Sequence, residues 1–138
     1  MTRMQGVIPP ATTPFDARGE IDFTAAGAQV NWLIEQGAHG IAVGGSTGEG
    51  HTLEAEEFLD LITVAVEAAS GRVPVIAGII ADSTRESVRR GKMIADLDVA
   101  ALQVTPVHYL FRPNDDAMVG HFRTLVEETG RDTLIYNV

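Results

Sequence analysis

The seven residues 44–50 read Gly-Gly-Ser-Thr-Gly-Glu-Gly and combine four glycines with the hydroxyl groups of Ser46 and Thr47. Glycine permits positive φ angles and close backbone approach, so neighbouring N–H groups and two hydroxyls can converge on one anion. A carboxylate or a phosphate fits such a site, and a tight turn without a ligand is the alternative. Because neither Gly-x-Gly-x-x-Gly nor Gly-Lys-Ser/Thr is present, nucleotide binding is disfavoured.

Two tyrosines are further candidates for chemistry. Tyr136 ends an apolar run, and Tyr109 lies in a long aromatic stretch bracketed by prolines, residues 105–113. A tyrosine at the end of a buried strand is more often structural, unless other site residues converge on it. The four histidines share no short ligand spacing, so we expect no metal site and no cofactor.

Alternating strand and helix patterns must position these residues. Short apolar runs predict buried strands, and amphipathic stretches between them predict four helices with Asp22, Thr52, Ser83 and Asn114 as N-caps. The strand runs are residues 6–8, 40–43, 73–77, 101–104 and 133–136. Helical crossovers between them require parallel pairing, hence an α/β fold closed as a doubly wound sheet or as a (β/α)8 barrel. In either case the loops after the strands carry the site.

Composition excludes several functions. The 138-residue chain has a formal net charge of −9, which disfavours binding to nucleic acid or to anionic lipid. It contains no cysteine, so disulfides, thiolate metal sites and thiol nucleophiles are excluded. No apolar run approaches the length of a membrane span, and we expect a cytoplasmic protein without membrane partners.

At these motifs the sequence resembles the dihydrodipicolinate synthase and N-acetylneuraminate lyase family of pyruvate-dependent class I aldolases. The resemblance runs over nearly the whole chain. Its motifs are Pro-Pro-Ala-Thr-Thr-Pro-Phe at residues 9–15, Gly-Ser-Thr-Gly-Glu at 45–49, Thr-Leu at 52–53, Arg-Val-Pro-Val-Ile-Ala-Gly at 72–78, Thr-Pro at 105–106 and Tyr-Asn-Val at 136–138. It implies a parallel (β/α)8 TIM barrel, of which this chain covers about five strands and four helices. Residues 1–138 are then the N-terminal portion of a single barrel domain.

The resemblance also implies a reaction and assigns roles to residues. A lysine forms a Schiff base with pyruvate or another 2-oxo acid, and the derived enamine adds to an aldehyde or is released by cleavage. Ser46 and Tyr136 relay protons, and Tyr109 is contributed across a dimer interface of a homo-oligomer, a dimer or a tetramer. Thr47, with Gly45 and Gly48, holds the carboxylate of the 2-oxo acid.

The sequence departs from the family by lacking the Schiff-base lysine, which the resemblance places beyond Val138. The single lysine, Lys92, falls in a predicted helix on the outside of the barrel. We therefore expect this chain alone to be inactive, and to be marginally stable or to associate. The alternative is a non-catalytic half-barrel that acts as an anion-binding or assembly module. A metal-dependent aldolase is disfavoured because clustered His and carboxylate ligands are missing.

Overall fold

The computed structural model describes residues 4–107 and 112–137. Its helices are α1 (Phe23–Glu35), α2 (Ala55–Ala69), α3 (Thr84–Met93) and α4 (Asp115–Thr129). Its strands are β1 (Ile41–Val43), β2 (Val75–Ile79), β3 (Ala101–Val104) and β4 (Thr133–Ile135). The strands form one parallel sheet in the order β1-β2-β3-β4, so each strand pairs with its neighbours in sequence. The expected α/β architecture with parallel pairing and helical crossovers is confirmed.

The first predicted strand, residues 6–8, is not a regular strand. This segment runs beside β1, where His39 N–H donates to Val7 O at 2.8 Å, and Pro10 forms an isolated parallel bridge with Ala42. The prediction of five strands was therefore too high by one among the described residues. Pro9 and Pro10 explain the difference, because neither has the N–H group that a continuous ladder needs.

Three of the four predicted N-caps are confirmed. The side chains of Asp22, Ser83 and Asn114 accept hydrogen bonds from backbone N–H groups of the first turns at 2.9, 3.2 and 2.9 Å. Thr52 was wrong as a cap, since α2 begins at Ala55. The Thr52 hydroxyl donates instead to Glu49 O at 2.8 Å and so belongs to the preceding loop.

The core lies between the sheet and the helices. Strands β1 and β2 are buried along their whole length, and Phe58, Leu61 and Ile62 of α2 pack with them. Burying one such side chain contributes roughly 1.5–3 kcal/mol. Gly91 of α3 permits close approach to α4, because a Cβ there would lie 2.8 Å from Thr129 Cγ2.

One face of the fold remains uncovered and apolar. We name it the α4–β4 face, a shallow concave surface of about 430 Å³. Its apolar residues are Val119, Phe122, Val126 and Ile135. Val119 is 55% exposed and Ile135 is 61% exposed. A contiguous exposed apolar surface of this kind favours contact with another molecule, whereas scattered single apolar residues do not.

Two further expectations can be compared with the fold. Lys92 lies on α3 with its side chain 52% exposed, and its Nζ is 2.5 Å from Glu128 Oε2, which confirms an external helix position. The hydrogen bond from Lys92 lowers the pKa of the Glu128 carboxyl. No helix within the described ranges is long and apolar enough to cross a membrane.

Candidate functional site

A cavity at the carboxyl end of the sheet collects residues from all four strands or the loops that follow them. Its volume is about 130 Å³. It is lined by Ile8, Pro10, Ala42, Gly45, Ser46, Thr47, Ile80, Gln103 and Tyr136. The structure thus brings Ser46, Thr47 and Tyr136 to one place although they lie in distant parts of the chain.

The loop after β1 is folded back on itself. Gly44 has φ +72° and Glu49 has φ +53°, and these two residues reverse the chain on either side of the apex. The N–H groups of Gly48 and Gly50 donate to Gly45 O at 3.1 and 3.0 Å. Those two donors are satisfied within the loop, which leaves its apex available for a ligand.

The apex consists of Ser46 and Thr47, which are both exposed. Within the described part of the chain, neither their N–H groups nor their hydroxyls bond to protein. The backbone of Glu49 helps to order the loop, since its N–H donates to Ser46 O at 3.1 Å. Two N–H groups and two hydroxyls at the rim of one cavity can bind a carboxylate by several hydrogen bonds at once.

Close backbone contacts hold this loop in place. A Cβ at Gly50 would lie 1.8 Å from Gly44 O, and one at Gly78 of β2 would lie 2.5 Å from Gly45 Cα. The Thr13 hydroxyl donates to Gly48 O at 2.6 Å, which ties the N-terminal segment to the loop. These contacts leave no room for side chains at the two glycines.

Tyr136 is held to the sheet just after β4. Its N–H donates to Val104 O at 2.8 Å, and its ring is partly exposed at the cavity. No hydrogen bond to its hydroxyl is present within the described residues. The phenol is therefore available to a ligand or to a proton-transfer partner in the cavity.

Sequence reasoning missed Gln103, whose side chain lines the same cavity from β3. The detectable signal was a single amide in an otherwise apolar strand. Tyr109 and its neighbour His108 lie outside the described residues, so the structure gives no position for them. Within 4–107 and 112–137, no three His, Cys, Asp or Glu side chains are grouped so as to hold a metal ion.

His121 is buried near this end of the fold but does not line the cavity. Its Nδ1 is 3.0 Å from Thr84 Oγ1, which links α4 to the start of α3. Its Nε2 is buried, with no hydrogen-bond partner among residues 4–107 and 112–137. Burial lowers the pKa of the imidazole, and the backbone of Thr105 partly opposes that shift. The residue therefore supports packing beneath the loop after β3.

Parallel strands in sequential order, helical crossovers and a candidate site on the loops beyond the strand ends match the class of α/β-barrel enzymes. The chain belongs to the Dihydrodipicolinate synthetase family, whose sequence model matches residues 3–138. Its relatives include a 4-hydroxy-tetrahydrodipicolinate synthase of Bacillus velezensis, 36% identical over 127 residues. That alignment covers 91% of this chain and 43% of the relative, so the chain spans less than half the length of this relative.

Solved structures agree with the family. A chloride-inhibited dihydrodipicolinate synthase from Acinetobacter baumannii, in complex with pyruvate, superposes with a TM-score of 0.94 at 33% identity, over 99% of this chain and 46% of that one. An N-acetylneuraminate lyase from Mycoplasma synoviae gives 0.88 at 26% identity, over 96% and 46%. These neighbours are enzymes on TIM barrels, which confirms the barrel as the fold class.

Proposed function

We propose that this chain is the N-terminal portion of a single TIM-barrel domain in a lyase or synthase that acts on pyruvate or a related 2-oxo acid. The full enzyme condenses the 2-oxo acid with an aldehyde, or cleaves the corresponding product, through a lysine Schiff base. The observation that carries this proposal is the convergence of Ser46, Thr47 and Tyr136 on one cavity. Relatives named as synthases and lyases support it.

The proposed roles follow from which groups are free at the cavity. The N–H and hydroxyl groups of Thr47, on the loop shaped by Gly45 and Gly48, bind the carboxylate of the 2-oxo acid. The lysine amine adds to the C2 carbonyl and water leaves, which gives the Schiff base. Loss of a C3 proton then gives the enamine. Ser46 and Tyr136 move protons to and from the oxygen and nitrogen at these steps.

The lysine is proposed to lie outside this chain. Lys92 is held on α3 by Glu128 and does not line the cavity, which supports a lysine from elsewhere. Tyr109 is proposed to act across the interface of a homo-oligomer, a dimer or a tetramer. The cytoplasmic location, and the lack of nucleic-acid and membrane partners, are proposed from the acidic composition.

A second function is favoured by one specific observation. The N–H groups of Ser46 and Thr47, which have no partner among the described residues, would form an anion site that does not depend on any lysine. A non-catalytic half-barrel that binds anions, or that assembles with another chain, would use the same loop.

Borohydride trapping with pyruvate, followed by intact mass, separates the two functions. We expect an adduct on the product of the whole reading frame and no specific adduct on residues 1–138. Absence of an adduct on both would contradict the lyase or synthase proposal and favour the anion-binding one. An adduct on the 138-residue chain that disappears in Lys92→Arg would contradict a lysine placed elsewhere.

Two variants of the whole product test the proposed roles. Tyr136→Phe and Ser46→Ala should lower kcat by about 10²–10⁴-fold while the borohydride adduct still forms at saturating pyruvate, because proton transfer is impaired. Thr63→Ala is the matched control, since its hydroxyl bonds to Leu59 O within α2. Unchanged turnover in both site variants would remove the proton relay from the proposal.

A further inference from the structure

Arg90 of α3 is a buried cation directly beneath the site loop. The residue is 8% exposed, and its guanidinium donates from Nη1 to Gly50 O at 2.9 Å and from Nη2 to Leu53 O at 2.8 Å. Its Nε is 3.3 Å from Glu86 Oε1. Such burial of a charge is unfavourable unless the group is paired and hydrogen-bonded. Here each of the three guanidinium nitrogens has a hydrogen-bond partner.

The aromatic ring of Phe58 completes the environment of Arg90. The guanidinium carbon lies 5.4 Å from the centre of this ring, within the range of a cation–π contact. Phe58 is itself fully buried in the core. Arg90 is therefore held by the Phe58 ring and by Glu86, while its two terminal nitrogens donate to the loop carbonyls of Gly50 and Leu53.

A short chain of hydrogen bonds links Arg90 to the site. Nη1 holds Gly50 O, Gly50 N–H holds Gly45 O at 3.0 Å, and Gly45 precedes the apex residues Ser46 and Thr47. Gly50 cannot move toward Gly44, because the two backbones are already in contact. Arg90 and the glycine contact thus both restrain Gly50.

We propose that Arg90 is a positioning residue that sets the location of Ser46 and Thr47 at the cavity. It does not touch the cavity and acts through the carbonyls of Gly50 and Leu53. Lysine cannot fully replace Arg90, because an ammonium group lacks the planar guanidinium that reaches two carbonyls and stacks on a ring. As far as catalysis is concerned, the inference rests on the proposed function.

Amide hydrogen exchange on the 138-residue chain tests the positioning itself. Arg90→Met should accelerate exchange at Gly48 and Gly50 at least about tenfold, while β2 amides keep their protection. Arg90→Lys should restore only part of the loop protection. The matched control is Arg89→Met, since Arg89 pairs with the same Glu86 but is 57% exposed. Unchanged exchange at Gly48 and Gly50 in Arg90→Met would overturn the inference, as would equal effects of the two methionine variants.

Kinetics of the whole product test the consequence for the reaction. A misplaced loop should raise KM for pyruvate about tenfold or more in Arg90→Met, because small displacements of binding groups can cost up to about 10²-fold. Arg90→Lys should lie between Arg90→Met and the parent. Simple loss of folded protein would lower the apparent kcat and leave KM unchanged, and that outcome would overturn the role in positioning.

The two proposals fail in different ways. If the parent protein forms no borohydride adduct, the proposed function fails, while hydrogen exchange still decides whether Arg90 holds the loop. If the adduct forms but KM for pyruvate is unchanged in Arg90→Met, the positioning role fails and the proposed function stands.

Discussion

His121 shows how a single buried side chain can couple this fold to pH. The residue is 3% exposed and bonds through Nδ1 to Thr84, and its Nε2 has no partner in the part of the chain that the structure describes. Its pKa is lowered in the folded state by burial. Burial therefore favours the neutral imidazole over the charged one.

The free energy of unfolding should therefore fall as the pH drops below the usual histidine pKa of about 6.5. The unfolded chain binds the proton more readily than the folded chain, so stability rises with pH and is complete above that value. For this one group the slope cannot exceed about 1.4 kcal/mol per pH unit. Urea unfolding of the parent and of His121→Asn between about pH 7.5 and 5.5 measures the effect.

His121→Asn should have the flatter pH dependence, because its side chain does not titrate in that range. Exposed His51 supplies the control, and His51→Asn should follow the parent. Equal slopes for the parent and His121→Asn would show that His121 does not govern this dependence.

The candidate site was only partly predictable from the sequence. The glycines and hydroxyl residues at 44–50 indicated a ligand-binding loop, since few other functions need that composition. Gln103 carried a weaker signal, a single amide in an otherwise apolar strand, and Arg90 carried none, because it is one of several arginines on a helix. Their importance comes from tertiary contacts with residues far away in the chain, which a local pattern does not encode.

At the scale of elements, the pair α3 and α4 depends on a small residue at the contact. Gly91 faces Thr129 Cγ2 and Leu102 Cδ1, where an added Cβ would lie at 2.8 and 3.2 Å. Gly120 of α4 has no atom within 4 Å of the corresponding position. Gly91 is therefore required by the close contact between α3 and α4, whereas the surroundings of Gly120 leave room for a larger side chain.

Gly91→Ala should destabilise the protein by about 1–3 kcal/mol, because overpacking outweighs the gain in helix propensity. Gly120→Ala should stabilise it by about 0.5–1 kcal/mol. Urea midpoints of the two variants measure both effects. Thr129→Ser, which removes Cγ2 but keeps a hydroxyl for Leu125 O, should recover part of the loss in Gly91→Ala. No recovery would place the strain elsewhere.

The elements themselves were largely predictable. Apolar runs located all four strands to within two residues. Strands β1 to β3 are buried, as their continuous apolar sequence predicts. The predicted burial of β4 was wrong, because Leu134 and Ile135 are exposed. The exception, residues 6–8, is followed by Pro9 and Pro10, which lack the N–H groups that would continue a ladder. Its backbone still pairs beside β1, so the pattern correctly indicated pairing. The prediction of a buried regular strand was wrong, since Val7 is 65% exposed.

At the scale of the whole molecule, the α4–β4 face should cause association of the 138-residue chain. Association would bury this apolar surface, and removing apolar surface from water is favourable. A net charge of −9 opposes contact between copies, so association should increase with salt as the repulsion is screened. Sedimentation velocity over a range of protein and salt concentrations measures it.

Val126→Lys should shift the chain toward monomer, although it lowers the net negative charge and so reduces repulsion. Ala28→Lys on α1 makes the same change in charge at an exposed helical position away from the face. This control should not dissociate the assemblies. A parent chain that is monomeric at high salt and high concentration would contradict the prediction.

The sequential order of the strands has a consequence for how the molecule forms in the cell. Each strand from β2 to β4 pairs with the strand synthesised just before it, so the sheet grows at a single edge in the direction of translation. Each pair of neighbouring strands is connected through a single helix, so no pairing requires a segment from a distant part of the chain. The β1–β2 platform under the Ser46–Thr47 apex can thus assemble at the ribosome before Tyr136 has left the exit tunnel.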